Sequence, residues 1–159
     1  MIVGTCAICL AVTLRFPIRY RSIVEREAKL NGLSTEFVMA VINSESSFRV
    51  DAVSNKGAIG LMQIMPSTAQ FCCYRMNIPY DESNLKSVEY NLKIGCYYLG
   101  YLSKRFQSEE NVICAYNAGE GTVRKWIEEK RSDIPYYETR KYLQRVKRAK
   151  TVYKYLLKK

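Results

Sequence analysis

Apolar residues recur along this chain every three or four positions and almost never every second one. That period limits what the chain can fold into. From about Tyr137 to Leu157, the residues Tyr142, Val146, Ala149, Tyr153 and Leu156 share one stripe of a helix. Tyr90 to Phe106 repeats the pattern through Leu92, Cys96, Leu99, Ser103 and Phe106. Phe37, Val38, Val41 and Ile42 mark the buried face of a helix that Ser34 or Thr35 can cap and that runs to about Ser46. Arg21 to Leu30 reads as a polar-faced helix stopped by Asn31-Gly32. Pro66 stands in the first turn of another, the position where its missing N–H costs nothing. Asn111 to Tyr116 and Thr122 to Glu129 are shorter helices, and Ser132-Asp133-Ile134-Pro135 breaks the chain before the last one. No segment alternates with period 2. The expectation is an all-α fold without repeats, and 159 residues suffice for one domain but not for two.

Charge narrows the chemistry. The net charge is +10, and the stretch from Arg124 to Lys159 carries 13 Lys/Arg against 4 Asp/Glu. A basic C-terminal helix of this kind is either a solvated face or a surface for a polyanion. Histidine is absent, which excludes Ser-His and Cys-His nucleophilic catalysis and any His-ligated metal. The six cysteines, Cys6, Cys9, Cys72, Cys73, Cys96 and Cys114, form no matched metal pattern. Cys96 and Cys114 lie in apolar stripes and read as small buried hydrophobes. No metal and no cofactor are expected.

Ile2 to Leu14 is a run of 13 residues without a charge, too short for a membrane span and near the length of a signal-peptide core. No positive residues precede it, and Arg15, Arg19 and Arg21 follow it instead. Residues 1–16 therefore read as an export or membrane-anchor segment whose beginning is missing, with a buried N-terminal helix or strand as the alternative. Residues 17–159 form the domain proper.

Glu45 breaks the apolar logic of its helix. It follows Val41 by four residues and Ile42 by three, so it lies on the stripe that faces the core. A carboxyl held against apolar neighbours has its ionised form disfavoured, and a glutamic acid still protonated near neutral pH is what a general acid requires. The bland alternative is a glutamate that pairs with a buried arginine or caps a neighbouring helix. A loop punctuated by Gly57 and Gly60 follows, then Met62, Gln63 and Met65; far along the chain Tyr116-Asn117 precede the Gly119-x-Gly121 turn. Hydroxyl and amide groups of this sort suit a sugar or an N-acetyl group.

These segments together resemble the lytic transglycosylase (SLT) family of the lysozyme superfamily. The resemblance is carried by ESSF (Glu45–Phe48), AVS (Ala52–Ser54), GAIGLMQIMPSTA (Gly57–Ala69), AYNAGEGTV (Ala115–Val123) and IPYYETRKYLQRV (Ile134–Val146), in family order. It implies a lysozyme-like helical domain with a substrate cleft, acting on peptidoglycan glycan strands. The bond cut is the β-1,4 linkage between N-acetylmuramic acid and N-acetylglucosamine, and the product ends in a 1,6-anhydromuramoyl group. Glu45 matches the family's sole acid/base. Ser54, Gln63 and Met65 match positions lining the sugar cleft, Tyr116 and Asn117 match residues that position substrate, and Glu138 and Tyr142 match supporting residues of the third motif. Arg49-Val50 replaces the Asn-Pro usual after the first motif.

Two other readings are consistent with the residues. One is a goose-type lysozyme-like hydrolase that delivers water to the same bond. The other is a non-catalytic cationic protein whose Arg124–Lys159 segment grips wall polymer or nucleic acid. The expectation is the transglycosylase, a monomer in the cell envelope or outside the cell, with the basic helix near anionic wall polymers or a membrane surface and no nucleic-acid partner.

Overall fold

The computed structural model describes residues 14–131 and 133–158. The apolar run at positions 1–13, which bears most of the export-or-anchor expectation, lies outside the described residues. No helix among the described residues is long and apolar enough to cross a membrane.

Seven α-helices make up the described chain: α1 (Arg21–Leu30), α2 (Thr35–Glu45), α3 (Pro66–Met76), α4 (Val88–Arg105), α5 (Glu109–Ala118), α6 (Glu120–Glu128) and α7 (Tyr137–Leu156). The all-α expectation holds. Isolated bridges between Val53 and Ile59 and between Ile59 and Ile64 are the nearest approach to a sheet among the described residues. A 3₁₀ turn at Ser83–Lys86, which no periodicity announced, precedes α4. α5 begins earlier than the apolar run suggested because the Ser108 hydroxyl accepts the N–H of Asn111 and caps the helix two residues upstream.

α2 differs from its expected form. The stripe Phe37, Val38, Val41, Ile42 predicts an amphipathic helix, yet Met39, Ala40 and Asn43 are buried as well. A helix apolar on all sides belongs at the centre of a domain, and α2 lies there, in its most extensive contact with α7. Each fully buried aliphatic side chain along it contributes roughly 1.5–3 kcal/mol relative to exposure. The helix stops at Glu45 because Ser47 and Phe48 both take left-handed backbone (φ 53° and 63°), a conformation that a helix cannot continue. This reversal drives Phe48 back into the core, 6.4 Å from the Tyr153 ring of α7.

The loop between α2 and α3 is held mainly by Asn91 of α4, a buried residue that the apolar stripe did not reveal. Its Oδ1 accepts the Met62 N–H (2.8 Å), and its Nδ2 donates to the carbonyls of Ile59 (2.9 Å) and Leu85 (2.7 Å). Two glycines make this contact close enough. Gly60 has φ +79°, and a Cβ on it would stand 2.3 Å from Asn91 Nδ2. A Cβ on Gly95 of α4 would stand 2.3 Å from Met62 Sδ. Cys72, Cys73, Cys96 and Cys114 are buried free thiols, as the stripes suggested for the last two.

Candidate active site

Glu45 is the last residue of α2, at the point where the core helix reaches the surface. It is partly exposed, but the protein around it removes enough water to push its pKa from 4.5 up to about 7. Burial is the dominant cause. The hydrogen bond from Tyr142 and the nearby charge of Arg145 oppose it without prevailing. Tyr142 comes from the second turn of α7, is itself buried, and donates its O–H to Glu45 Oε1 at 2.7 Å. Arg145, one turn further, stacks over the Tyr142 ring with its guanidinium carbon 5.6 Å from the centroid. The Tyr116 phenol lies close enough to feel the Glu45 charge, which adds to burial in pushing the phenol's own pKa well above the ordinary value. Its O–H donates to the Met62 carbonyl at 2.8 Å.

Two cavities are lined by neighbours of this carboxyl, Tyr116 in one and Ser44 and Arg145 in the other, while Glu45 itself is in the wall of neither. One, of about 230 Å³, is lined by Gln63, Met65, Tyr98, Tyr116 and Asn117 among others. It shares Thr68 and Tyr98 with a further cavity of about 250 Å³ whose walls include Phe71, Tyr101 and Glu120. The rings Phe71, Tyr101, Tyr98 and Tyr116 follow one another at centroid distances of 5.2, 6.2 and 5.7 Å. The second cavity, about 620 Å³, lies between the α2 terminus and α7. Ser44 and Ser47, next to Glu45 in the chain, and Arg145 are in its wall. Neither of these two walls contains a carboxylate, Glu45 included.

Four of the candidate residues, Gln63, Met65, Tyr116 and Asn117, meet in the uncharged cavity. Gln63 is anchored through its Nε2, which donates to the carbonyls of Ala52 (3.1 Å) and Gly60 (2.9 Å). Met65 is exposed at the mouth. Tyr142 stands at Glu45. Ser54 stands elsewhere: its Oγ accepts the N–H groups of Lys56 (3.3 Å) and Ala58 (3.0 Å) and closes a turn of the loop. Glu138 is exposed in the first turn of α7 and bonds no side chain among the described residues. Its neighbour Thr139 does more, since its buried hydroxyl donates to Asn117 Oδ1 at 2.9 Å and ties α7 to the end of α5. Sequence reasoning missed Thr139, Arg145 and Asn91. Arg145 could have been found as the residue three beyond Tyr142, on the same side of α7.

An all-helical domain that holds one partly desolvated glutamic acid near a cavity lined with amides and aromatic rings defines a lysozyme-like class of protein. The comparisons with known proteins agree. The model of the transglycosylase SLT domain family matches residues 22–137, and the chain belongs to that family. It is 33% identical to the soluble lytic murein transglycosylase of Escherichia coli K12, with 90% of this chain aligned to 24% of that protein. It is 34% identical to the membrane-bound lytic murein transglycosylase C of Haemophilus ducreyi, over 67% of this chain and 32% of that protein. Among solved structures, the lytic transglycosylase Slt of Pseudomonas aeruginosa, in an inactive mutant form, superposes with a TM-score of 0.87 at 34% identity. That match covers 92% of this chain and 26% of the other. The 70 kDa soluble lytic transglycosylase of E. coli gives 0.86 at 32% identity. The chain thus spans about a quarter of the length of the soluble relatives it matches.

Proposed function

We propose that this chain is a peptidoglycan lytic transglycosylase that cuts the β-1,4 bond between N-acetylmuramic acid and N-acetylglucosamine, with Glu45 as its only acid and base. The observation that carries the reading is a carboxyl with a pKa of about 7, held by Tyr142 at the end of the buried helix α2. Two-carboxylate glycosidases need their partner within roughly 10 Å, to attack the sugar or to activate water. Here the substrate supplies that function. Protonated Glu45 donates to the bridging oxygen as the bond to the muramoyl C1 breaks, and the muramoyl N-acetyl oxygen stabilises the positive charge developing at C1. The carboxylate then takes the proton of the same sugar's C6 hydroxyl, whose oxygen bonds to C1. The proton returns to Glu45, no water is consumed, and the product carries a 1,6-anhydro ring. An intramolecular nucleophile at high effective concentration favours this outcome over hydrolysis.

Gln63 and Asn117 support the saccharide assignment, each keeping one half of its amide unengaged among the described residues (the Gln63 oxygen and the Asn117 nitrogen). The row of rings from Tyr116 to Phe71 supplies apolar faces for further sugars. The protein works as a monomer at the cell envelope, where the exposed Lys154 and Lys158 at the end of the basic segment face anionic polymers or lipid head groups.

The test is digestion of purified peptidoglycan by the native protein and by Glu45→Gln, with the released fragments weighed. Anhydromuramoyl ends from the native protein alone support the reading. Products heavier by one water make it a hydrolase, and no release by either protein removes the catalytic assignment.

A further inference from the structure

At one end of the molecule, cations and exposed apolar side chains occur together. Residues 14–20 lie against the last turns of α7. The Phe16 ring meets the Tyr153 ring edge-on at 5.9 Å, and the Tyr153 O–H donates to the Pro17 carbonyl at 3.1 Å. Arg21 Nη2 donates to the Leu157 carbonyl at 3.4 Å. These contacts occupy Phe16, Pro17 and Tyr153 and leave other apolar residues of the same two segments in water. Leu14 is 74% exposed, Ile18 41% and Tyr155 68%. A lone exposed apolar residue needs no explanation, but three on two joined segments mark a surface that something covers.

Positive charge collects there as well. Arg15, Arg19, Lys154 and Lys158 are exposed, and none forms an ion pair among the described residues. Earlier on α7 the charge is compensated, since Lys147 pairs with Glu110 at 2.6 Å and Lys150 with Glu109, both on α5. Positions 14–21 and 151–159 contain no aspartate or glutamate. Cations alone suit any polyanion. A soluble polyanion, however, gains nothing from Leu14, Ile18 and Tyr155. A bilayer uses both kinds of group: its head groups meet the cations, and its acyl boundary takes the apolar side chains and the tyrosine ring. The sequence adds a third observation, because the uncharged run from Ile2 to Leu14 joins the domain at this same end.

We propose that this end of the domain lies against an anionic lipid surface. Arg15, Arg19, Lys154 and Lys158 sit at the head groups, and Leu14, Ile18 and Tyr155 reach the acyl boundary. The inference rests on the envelope setting proposed above and not on the chemistry of Glu45. An apolar run alone would tether the domain and leave it free to swivel. Two segments joined through Tyr153 and pressed on the lipid together fix its orientation. α7 carries that orientation to the site, because Tyr142, which holds Glu45, lies on the same helix about 16 Å before Tyr153 along its axis. The acid is thereby held close to the membrane, and the strands it cuts are those within reach of the lipid surface.

Vesicle flotation with the full chain tests this. Vesicles of phosphatidylcholine alone are compared with vesicles that also contain phosphatidylglycerol. A cation at an anionic bilayer strengthens binding about fivefold, so Arg19→Gln, Lys154→Gln and Lys158→Gln together should weaken binding to the mixed vesicles at least tenfold and remove its salt dependence. Ile18→Ser with Tyr155→Ser should weaken binding several-fold, and still do so at salt that screens the charges. All five positions are exposed, so the melting temperature should stay that of the parent. Binding that either set of substitutions leaves unchanged overturns the proposal, as does equal binding to the two kinds of vesicle. Soluble poly(glycerol phosphate) is the competing probe. If it displaces the protein from the mixed vesicles and the Ile18 and Tyr155 substitutions have no effect, the surface belongs to a phosphate polymer and the proposal fails. Both variants should cut soluble peptidoglycan fragments at the parent rate, and a loss of cleavage without vesicles would overturn the separation of this surface from the site. Missing anhydro ends with the native protein would refute catalysis, while lipid docking is read from flotation alone.

Discussion

Replacing Glu45 with Gln should abolish cleavage and yet stabilise the fold, increasingly so as pH rises. The folded carboxyl titrates at about 7 against 4.5 for the free side chain, and burial is the main cause. Between those values the folded state keeps a proton that the unfolded chain has released. Stability is therefore highest below the unfolded value, falls as pH rises through the window, and levels off above the folded value. The full gap corresponds to about 3 kcal/mol. Slightly under 1 kcal/mol of it is already lost by about pH 5, which leaves roughly 2 kcal/mol to be lost by about pH 8.

The glutamine amide has the same length and still accepts the Tyr142 O–H, but it carries no charge and lacks this slope. Urea unfolding of both proteins between about pH 5 and 8 gives the difference directly. It should grow by roughly 2 kcal/mol in favour of the variant. A difference that stays flat would refute the reasoning, because Glu45 would then titrate alike in the folded and unfolded chains. Growth in favour of the native protein would mean that the Tyr142 bond and the Arg145 charge outweigh burial.

Tyr142→Phe and Arg145→Gln each remove a group that favours the carboxylate, so each should move the alkaline limb of kcat/KM to higher pH; a pH–rate profile that moves the limb downward contradicts the assignment. Asn91→Leu leaves the Met62 N–H and the Leu85 carbonyl without a partner and the Ile59 carbonyl with the Ile64 N–H alone, and the cost should reach about 3 kcal/mol in urea unfolding. Thr139→Val removes the hydroxyl that holds Asn117 and should raise KM for glycan a few-fold with kcat nearly unchanged; equal loss in both would show that Asn117 acts on the chemistry itself.

The helices were readable because side chains three and four apart share a face, and every long stripe of the sequence became a helix. What local pattern could not supply was partnership across the chain. Asn91 interrupts an apolar run and looks like a surface polar residue until the loop it holds is seen, 29 residues away from it at Met62. Ser54, expected at the sugar cleft, also closes its own turn, a local hydrogen bond that its residue type favours as readily as a ligand contact.

Glu45 was readable for a different reason, and that reason explains the site. A helix buried on all sides has to leave the core somewhere, and its last turn passes from an apolar interior to solvent within a few residues. A carboxyl placed at that passage is desolvated by the helix's own packing and remains within reach of a ligand. No second acid is needed to raise its pKa. The wrapping of α7 around α2 then does two things at once: it brings Tyr142 to hold the carboxyl, and it lays Lys141, Arg145 and Arg148 along the groove beside it. The proton and the positive charge beside it are thus positioned by one helix–helix contact. Loosening that contact from its buried side, as with Val146→Ala, should therefore lower kcat and move the alkaline limb of the pH–rate profile to higher pH by weakening the Tyr142 bond, whereas changes at Gln63 or Met65 should raise KM and leave the limb in place.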